Sequence, residues 1–296
     1  MASIESKVLN IIFNCSNIKK SFDKVFDSGK FGKGDMNKPP KKLYSNLNIG
    51  KIQIKERNVF TLEPKKDGNK IHILYLHGGG YIYGFNKIHW RFFNTLIKAT
   101  NCTIITPDYP LAPKFTYKDS FEMVIPLYRE LVSKVGGENI ILMGDSSGGG
   151  FALAVAQKMR KENIDNANQI ILLSPWLDIT LKNIDINTIN SKDPILGISG
   201  LRRAGKSYAG DTDPNNYLLS PINGAVDGLG KISVFIGTKD ILEADTRKFK
   251  RLTGEKGVNI NYYEYTDMVH VWMFFNLPES KQAIDQIIDL IYSTVV

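Results

Sequence analysis

Along most of the chain, short apolar runs alternate with longer amphipathic stretches. IHILYLH (71–77), CTIITP (102–107), NIILMG (139–144), QIILLS (169–174), ISVFIG (232–237) and INYYEY (260–265) are each about a strand's length of largely apolar residues. Helical periodicity fills the intervals near 87–99, 118–134, 147–162, 243–256 and 279–293. Strand followed by helix, repeated, predicts right-handed crossovers and a mostly parallel sheet with helices on both faces, a three-layer α/β domain. Ahead of it, KIQIKER and VFTLEP alternate apolar with polar positions, which predicts a half-exposed antiparallel pair at a sheet edge.

Two segments break this rhythm. Near the start, Val8, Ile11, Cys15, Ile18 and Phe22 recur at spacings of three and four, which predicts one face of an amphipathic helix able to cover the mouth of a site. SGKFGKG and KPPKK then read as a linker, so residues 1–45 form an N-terminal helical segment and 46–296 the main α/β domain. Between Ser174 and Ile232 the interval is too long for a simple crossover. Its polar motifs KDPILGISG, AGDTDPNN and LLSPING predict a lid insertion over 176–225.

Composition narrows the class. At 43% apolar and 23% charged residues, with no long apolar run, a globular protein without integral membrane contact is expected. MASIESKVLNIIFNCSN lacks a basic region before its apolar run, so a cytoplasmic location is the expectation. Cys15 and Cys102 match neither a disulfide framework nor a metal spacing and read as core filler. The net charge of +8 is confined to residues 1–70, where 15 Lys and Arg face 7 Asp and Glu; residues 71–296 hold 23 of each. Without a nucleic-acid-binding pattern beside it, that excess reads first as a basic surface on an accessory segment, and second as a site for polyanions or membrane.

The chemistry concentrates in three places. GDSSGG (144–149) follows the strand NIILMG and opens a helix, the strand–turn–helix setting of a G-x-S-x-G nucleophile elbow. Gly144 and Gly148 clear space for the sharp turn, Ser146 stands at its tip, and the following helix aims free N–H groups at developing negative charge. His77-Gly78-Gly79-Gly80, at the end of ILYLH, reads as an oxyanion-hole loop, with His77 in an orienting role. No G-K-[ST] follows to make it a phosphate loop. Late in the chain, His270 follows the last strand and Asp240 the one before it, giving the order Ser146, Asp240, His270. Glu243 and Asp245 are alternatives for the acid; Asp267 reads as a loop-capping or substrate-facing residue, His72 and His89 as packed or surface residues. Tyr81, Tyr83, Phe85, Trp176, Trp272 and Met273 are candidates to line an acyl pocket.

Together HGGG, GDSSGG, DYPLAPK (108–114), SPWLD (174–178), GTKDILEAD and DMVHVW resemble the hormone-sensitive-lipase-like branch of the α/β-hydrolases, from about Lys51 to the C-terminus. The resemblance implies the α/β-hydrolase fold with an N-terminal helical cap and a Ser146–Asp240–His270 triad. It also implies oxyanion donors at the amides of Gly79, Gly80 and Ser147, no cofactor and no metal. Where that family reads Asp-Tyr-Arg-Leu-Ala-Pro-Glu, this chain has Pro110 and Lys114, so both charges of the loop are absent. The implied activity is a serine carboxylesterase acting on a small-molecule acyl ester of short to medium chain, with no nucleic-acid partner and a homodimer left open. An amidase or deacetylase on the same triad, and a ligand receptor on the same scaffold, are the alternatives; the histidine at position 270 argues against the receptor.

Overall fold

A computed structural model describes residues 2–31 and 38–294. The linker motif SGKFGKG therefore lies partly outside the described residues. Eight strands form one sheet: β1 (Leu47–Ile54), β2 (Arg57–Pro64), β3 (His72–Leu76), β4 (Thr103–Pro107), β5 (Ile140–Asp145), β6 (Gln169–Leu173), β7 (Lys231–Gly237) and β8 (Asn261–Tyr265). Their order is β1-β2-β4-β3-β5-β6-β7-β8. The first pair is antiparallel, as its alternation predicts, β2 also meets β4 antiparallel, and all remaining neighbours are parallel.

Alternate residues of each central strand point to opposite faces, and both faces are apolar. Leu74, Leu142, Leu172 and Val234 enter one core with α4 (Tyr117–Val135), α5 (Ser147–Lys161) and α8 (Glu243–Glu255). Ile73, Ile141, Ile171 and Phe235 enter the other with α3 (Lys87–Thr100) and α9 (Pro278–Tyr292). Burial on both sides is why these strands read as continuous apolar runs rather than alternating ones. The chain leaves β3 for β4 on one side, then returns to β5 on the other. That reversal opens a crevice at the carboxyl ends of β3 and β5, where open α/β sheets place their ligands.

The N-terminal segment differs from its expected pattern. α1 (Ile4–Cys15) stops where Asn17 adopts φ 40°, a 3-10 turn follows over Ile18–Lys20, and α2 (Ser21–Ser28) runs on at a new angle. The five-residue apolar face is therefore split. Val8, Ile11 and Cys15 are exposed, and only Phe22 packs on the main core. Another side faces inward: Ser3 and Ser6 hydroxyls donate to the Glu279 carboxylate at 2.9 and 2.7 Å, and Leu9 and Phe13 pack against the core beside them. Cys15 is thus no core filler, whereas Cys102 is buried, with its thiol pushed up to about 11 by desolvation. Within 176–225 lie α6 (Ile186–Asn190) and α7 (Ile198–Ala209). α2 rests on α7, joined by Asp23 to Ser199 at 2.9 Å and Asp27 to Arg203 at 2.6 Å.

Candidate active site

β5 runs directly into α5, and the residue between them carries the strain. Ser146 has φ 52° and ψ −123°, a conformation that costs a non-glycine residue of order 1–3 kcal/mol and persists only where its surroundings enforce it. Here they do. Ser146 N–H donates to Leu173 O at 2.8 Å, and Ser146 O accepts from Trp176, Gly149 and Gly150 at 2.8, 3.0 and 3.2 Å. A Cβ at Gly148 would run into the carbonyls of Leu76 and His77, so the helix can approach the sheet this closely only with glycine there. Ser147, buried, is the first residue of α5, where the backbone N–H has no partner within the helix.

The HGGG loop faces this turn. Gly79 and Gly80 adopt φ 120° and 60°, which a side chain would resist. The Asp145 carboxylate holds the loop in place: it accepts from Gly78 N–H at 2.9 Å and from the Tyr75 hydroxyl at 2.8 Å, and pairs with His89 Nε2 at 3.3 Å. Burial opposes its charge, yet His89 and these hydrogen bonds outweigh burial and hold the carboxyl below its usual range. His77 is buried, stacks on the Tyr109 ring at 4.3 Å, and is pushed down to about 3 by desolvation and by neighbouring His89. It stays neutral at any working pH, with Nδ1 at 2.8 Å from Gly78 O.

The loop that lacks its two charges is held by other means. Arg57 pairs with Asp108 at 3.6 Å, Tyr109 donates to His77 O at 2.6 Å, and Ser120 donates to Pro110 O at 2.8 Å.

Past β7, Asp240 lies fully buried and its Oδ2 meets His270 Nδ1 at 2.7 Å. Asp240 Oδ1 accepts from Leu242 N–H at 2.9 Å, which fixes the carboxylate plane. Burial pulls His270 down, but the charges of Asp240, Asp193 and Asp145 pull harder, and the imidazole rises above its ordinary 6.5. The other acids are engaged elsewhere: Asp245 with Asn183 at 3.0 Å, Glu243 with Arg247, and Asp267 with Lys239 at 3.2 Å.

Ser146, His270, Gly79 and Gly80 share one cavity of about 270 Å³. Its remaining walls are mainly apolar, with Ile18 and Phe22 from the N-terminal segment, Ile195 and Leu196 from the 176–225 insertion, and Phe85 and Phe274 from the main domain. Of the expected pocket residues, Tyr83 and Phe85 line the cavity. Tyr81, Trp176, Trp272 and Met273 are buried in the cores instead, Tyr81 stacked on Tyr208 at 3.7 Å.

Three polar residues of the site escape the sequence reading. Asp145 sits inside GDSSGG, but only the fold shows that it reaches the HGGG loop. His89 caps α3 with Asn86 and turns its other nitrogen to Asp145. Asp193, from KDPILG, ties the insertion to the acid loop. Its Oδ1 accepts from Ile195 and Leu196 N–H at 2.8 and 2.9 Å, and its Oδ2 from Ile241 N–H at 2.8 Å. Burial and the charge of Asp240 push it up to about 6.

Comparison with known proteins agrees with this architecture. A family profile described as the alpha/beta hydrolase fold matches residues 73–274. An esterase of Acinetobacter venetianus is 31% identical over 73% of this chain and 72% of its own, and an acetyl-hydrolase of Streptomyces hygroscopicus is 28% identical over 75% and 74%. The crystal structure of a hormone-sensitive-lipase homologue from a metagenome library superposes over the whole of both chains with a TM-score of 0.84 at 21% identity, a likeness of fold. The chain belongs to the α/β-hydrolase family.

Proposed function

We propose that this chain is a carboxylic ester hydrolase that cleaves short- to medium-chain acyl esters through an acyl-enzyme on Ser146. The observation that carries the reading is the shared cavity: a serine held on a strained elbow opens into the same space as a histidine paired with a buried aspartate.

In the reaction, His270 takes the Ser146 proton as Oγ attacks the ester carbonyl, with Asp240 fixing the imidazole and stabilising its charged form. The oxyanion lies against the amides of Gly79, Gly80 and Ser147, where the α5 N-terminus adds its positive end. His270 then protonates the leaving alcohol. Water enters, gives its proton to His270, and releases the acid as Ser146 recovers its own. At about 270 Å³ the cavity lies just below the range of roughly 300–1,000 Å³ usual for ligand pockets, which favours short acyl groups. The relatives named esterase and acetyl-hydrolase point the same way.

Hydrolysis of p-nitrophenyl esters from acetate to palmitate tests the reading. Activity should peak at short chains and fall at least about a thousandfold in Ser146→Ala and in His270→Ala. A peak at palmitate would reject the chain-length part. Cleavage of arylamides with no cleavage of any ester would replace the reading by an amidase.

A further inference from the structure

Helix α1 is apolar on more than its inward side. That side is mixed: Ser6 and Asn10 are buried, the first bonded to Glu279 and the second donating to Asp267 O at 3.4 Å, while Leu9 and Phe13 pack against the core. Its outward side is aliphatic, with Ile4, Val8, Ile11 and Ile12 exposed by 77, 50, 63 and 55%. At the helical repeat these four fall within an arc of about 100°, forming one continuous ridge. Facing water, such a ridge contributes nothing to the fold and carries the full cost of apolar hydration.

The charges of the N-terminal segment point to what covers the ridge. Lys7 lies beside the ridge on α1, and Lys20 and Lys24 are exposed on the segment that follows. Glu5 stands at the far edge of the ridge and offsets one of these charges. Asp23 and Asp27 are taken up by Arg203, at 3.8 and 2.6 Å. Lys7, Lys20 and Lys24 form no ion pair among the described residues. A second copy of this basic segment would repel the first, whereas an anionic lipid surface complements both the aliphatic ridge and the lysines. Ile18, exposed by 38%, lies three residues past the end of α1 and lines the catalytic cavity, together with Ser21 and Phe22. The segment that would meet lipid therefore leads directly into the wall of the cavity.

We infer that α1 docks in the plane of an anionic membrane surface, its Ile4–Val8–Ile11–Ile12 ridge sunk at the headgroup–acyl boundary and its neighbouring lysines against lipid phosphates. The orientation would bring the cavity rim close to esters dissolved in the lipid.

Co-sedimentation of the full chain with vesicles tests this without relying on turnover. The protein should bind phosphatidylcholine vesicles containing phosphatidylglycerol, bind pure phosphatidylcholine far more weakly, and lose binding as salt is added. Replacing Ile4, Val8, Ile11 and Ile12 by serine should weaken partitioning at least about a hundredfold, with p-nitrophenyl acetate turnover in solution unchanged. Each of Lys7→Gln, Lys20→Gln and Lys24→Gln should weaken it about fivefold, a second route should the serine variant fail to fold. Absence of binding to anionic vesicles at low salt, or equal binding to both lipids by parent and lysine variants, would overturn the proposal. So would a dimer in the parent that the serine variant dissolves, since a second copy would then be the occupant.

Discussion

At the residue scale, the site depends on carboxylates that hold loops as much as on the groups that would react. Asp193 touches no substrate in the proposed scheme, yet its charge is one of those that raise His270. The base works only as neutral imidazole, so kcat/KM should fall as pH drops through a value above 6.5, the ordinary pKa of histidine. In Asp193→Asn the raising charge is gone, and the acidic limb of the profile should move to lower pH. An acidic limb at the same pH in both proteins would assign Asp193 to loop anchoring alone. Asp245 offers a stability counterpart. Burial pushes it up to about 6, so its ionisation costs the native state stability above that pH and nothing below about 4. Asp245→Asn keeps the oxygen that accepts from Asn183 and should stabilise the fold by about 1–3 kcal/mol at pH 8 while leaving it nearly unchanged at pH 4. Thermal denaturation at the two pH values measures this; a loss of stability at pH 8 would mean the carboxylate is favourably solvated.

At the scale of elements, the strands were readable because each is buried on both faces and bounded by turn residues. NIILMG and ISVFIG sit within one residue of β5 and β7. The elbow was readable because its glycines answer a local steric demand. Residues that act across the fold were not readable: Asp193 and His89 are ordinary in their own segments, and only tertiary placement sets them beside the acid loop and the HGGG loop. α1 misled for a related reason. Periodicity finds an apolar face but not which side the neighbours cover, and here the side carrying Ser6, Leu9 and Phe13 is the one held inward. α2 brings Phe22 over Gly80, at the edge of the cavity. Phe22→Ala should lengthen the space for the acyl chain and raise the decanoate-to-acetate ratio of kcat/KM about tenfold. An unchanged ratio would show that the acyl chain leaves the cavity elsewhere.

At the scale of the molecule, the sheet supplies rigidity and the additions around it supply selectivity. The switch point between β3 and β5 fixes where the nucleophile and oxyanion loops meet, and two cores bury both faces of the frame that holds them. The N-terminal segment and the 176–225 segment meet through α2 and α7 and together wall the cavity, so under the proposed function the chain-length preference would reside outside the sheet. The basic excess of residues 1–70 falls partly on the N-terminal segment and partly on the β1–β2 edge of the sheet. An acyl-enzyme on Ser146 requires a nucleophilic hydroxyl there, and active-site labelling reads that hydroxyl. A fluorophosphonate probe, followed by peptide mapping, should mark Ser146 in the parent protein and leave folded Ser146→Ala unlabelled. Labelling of Ser146→Ala to the same extent as the parent would contradict the account.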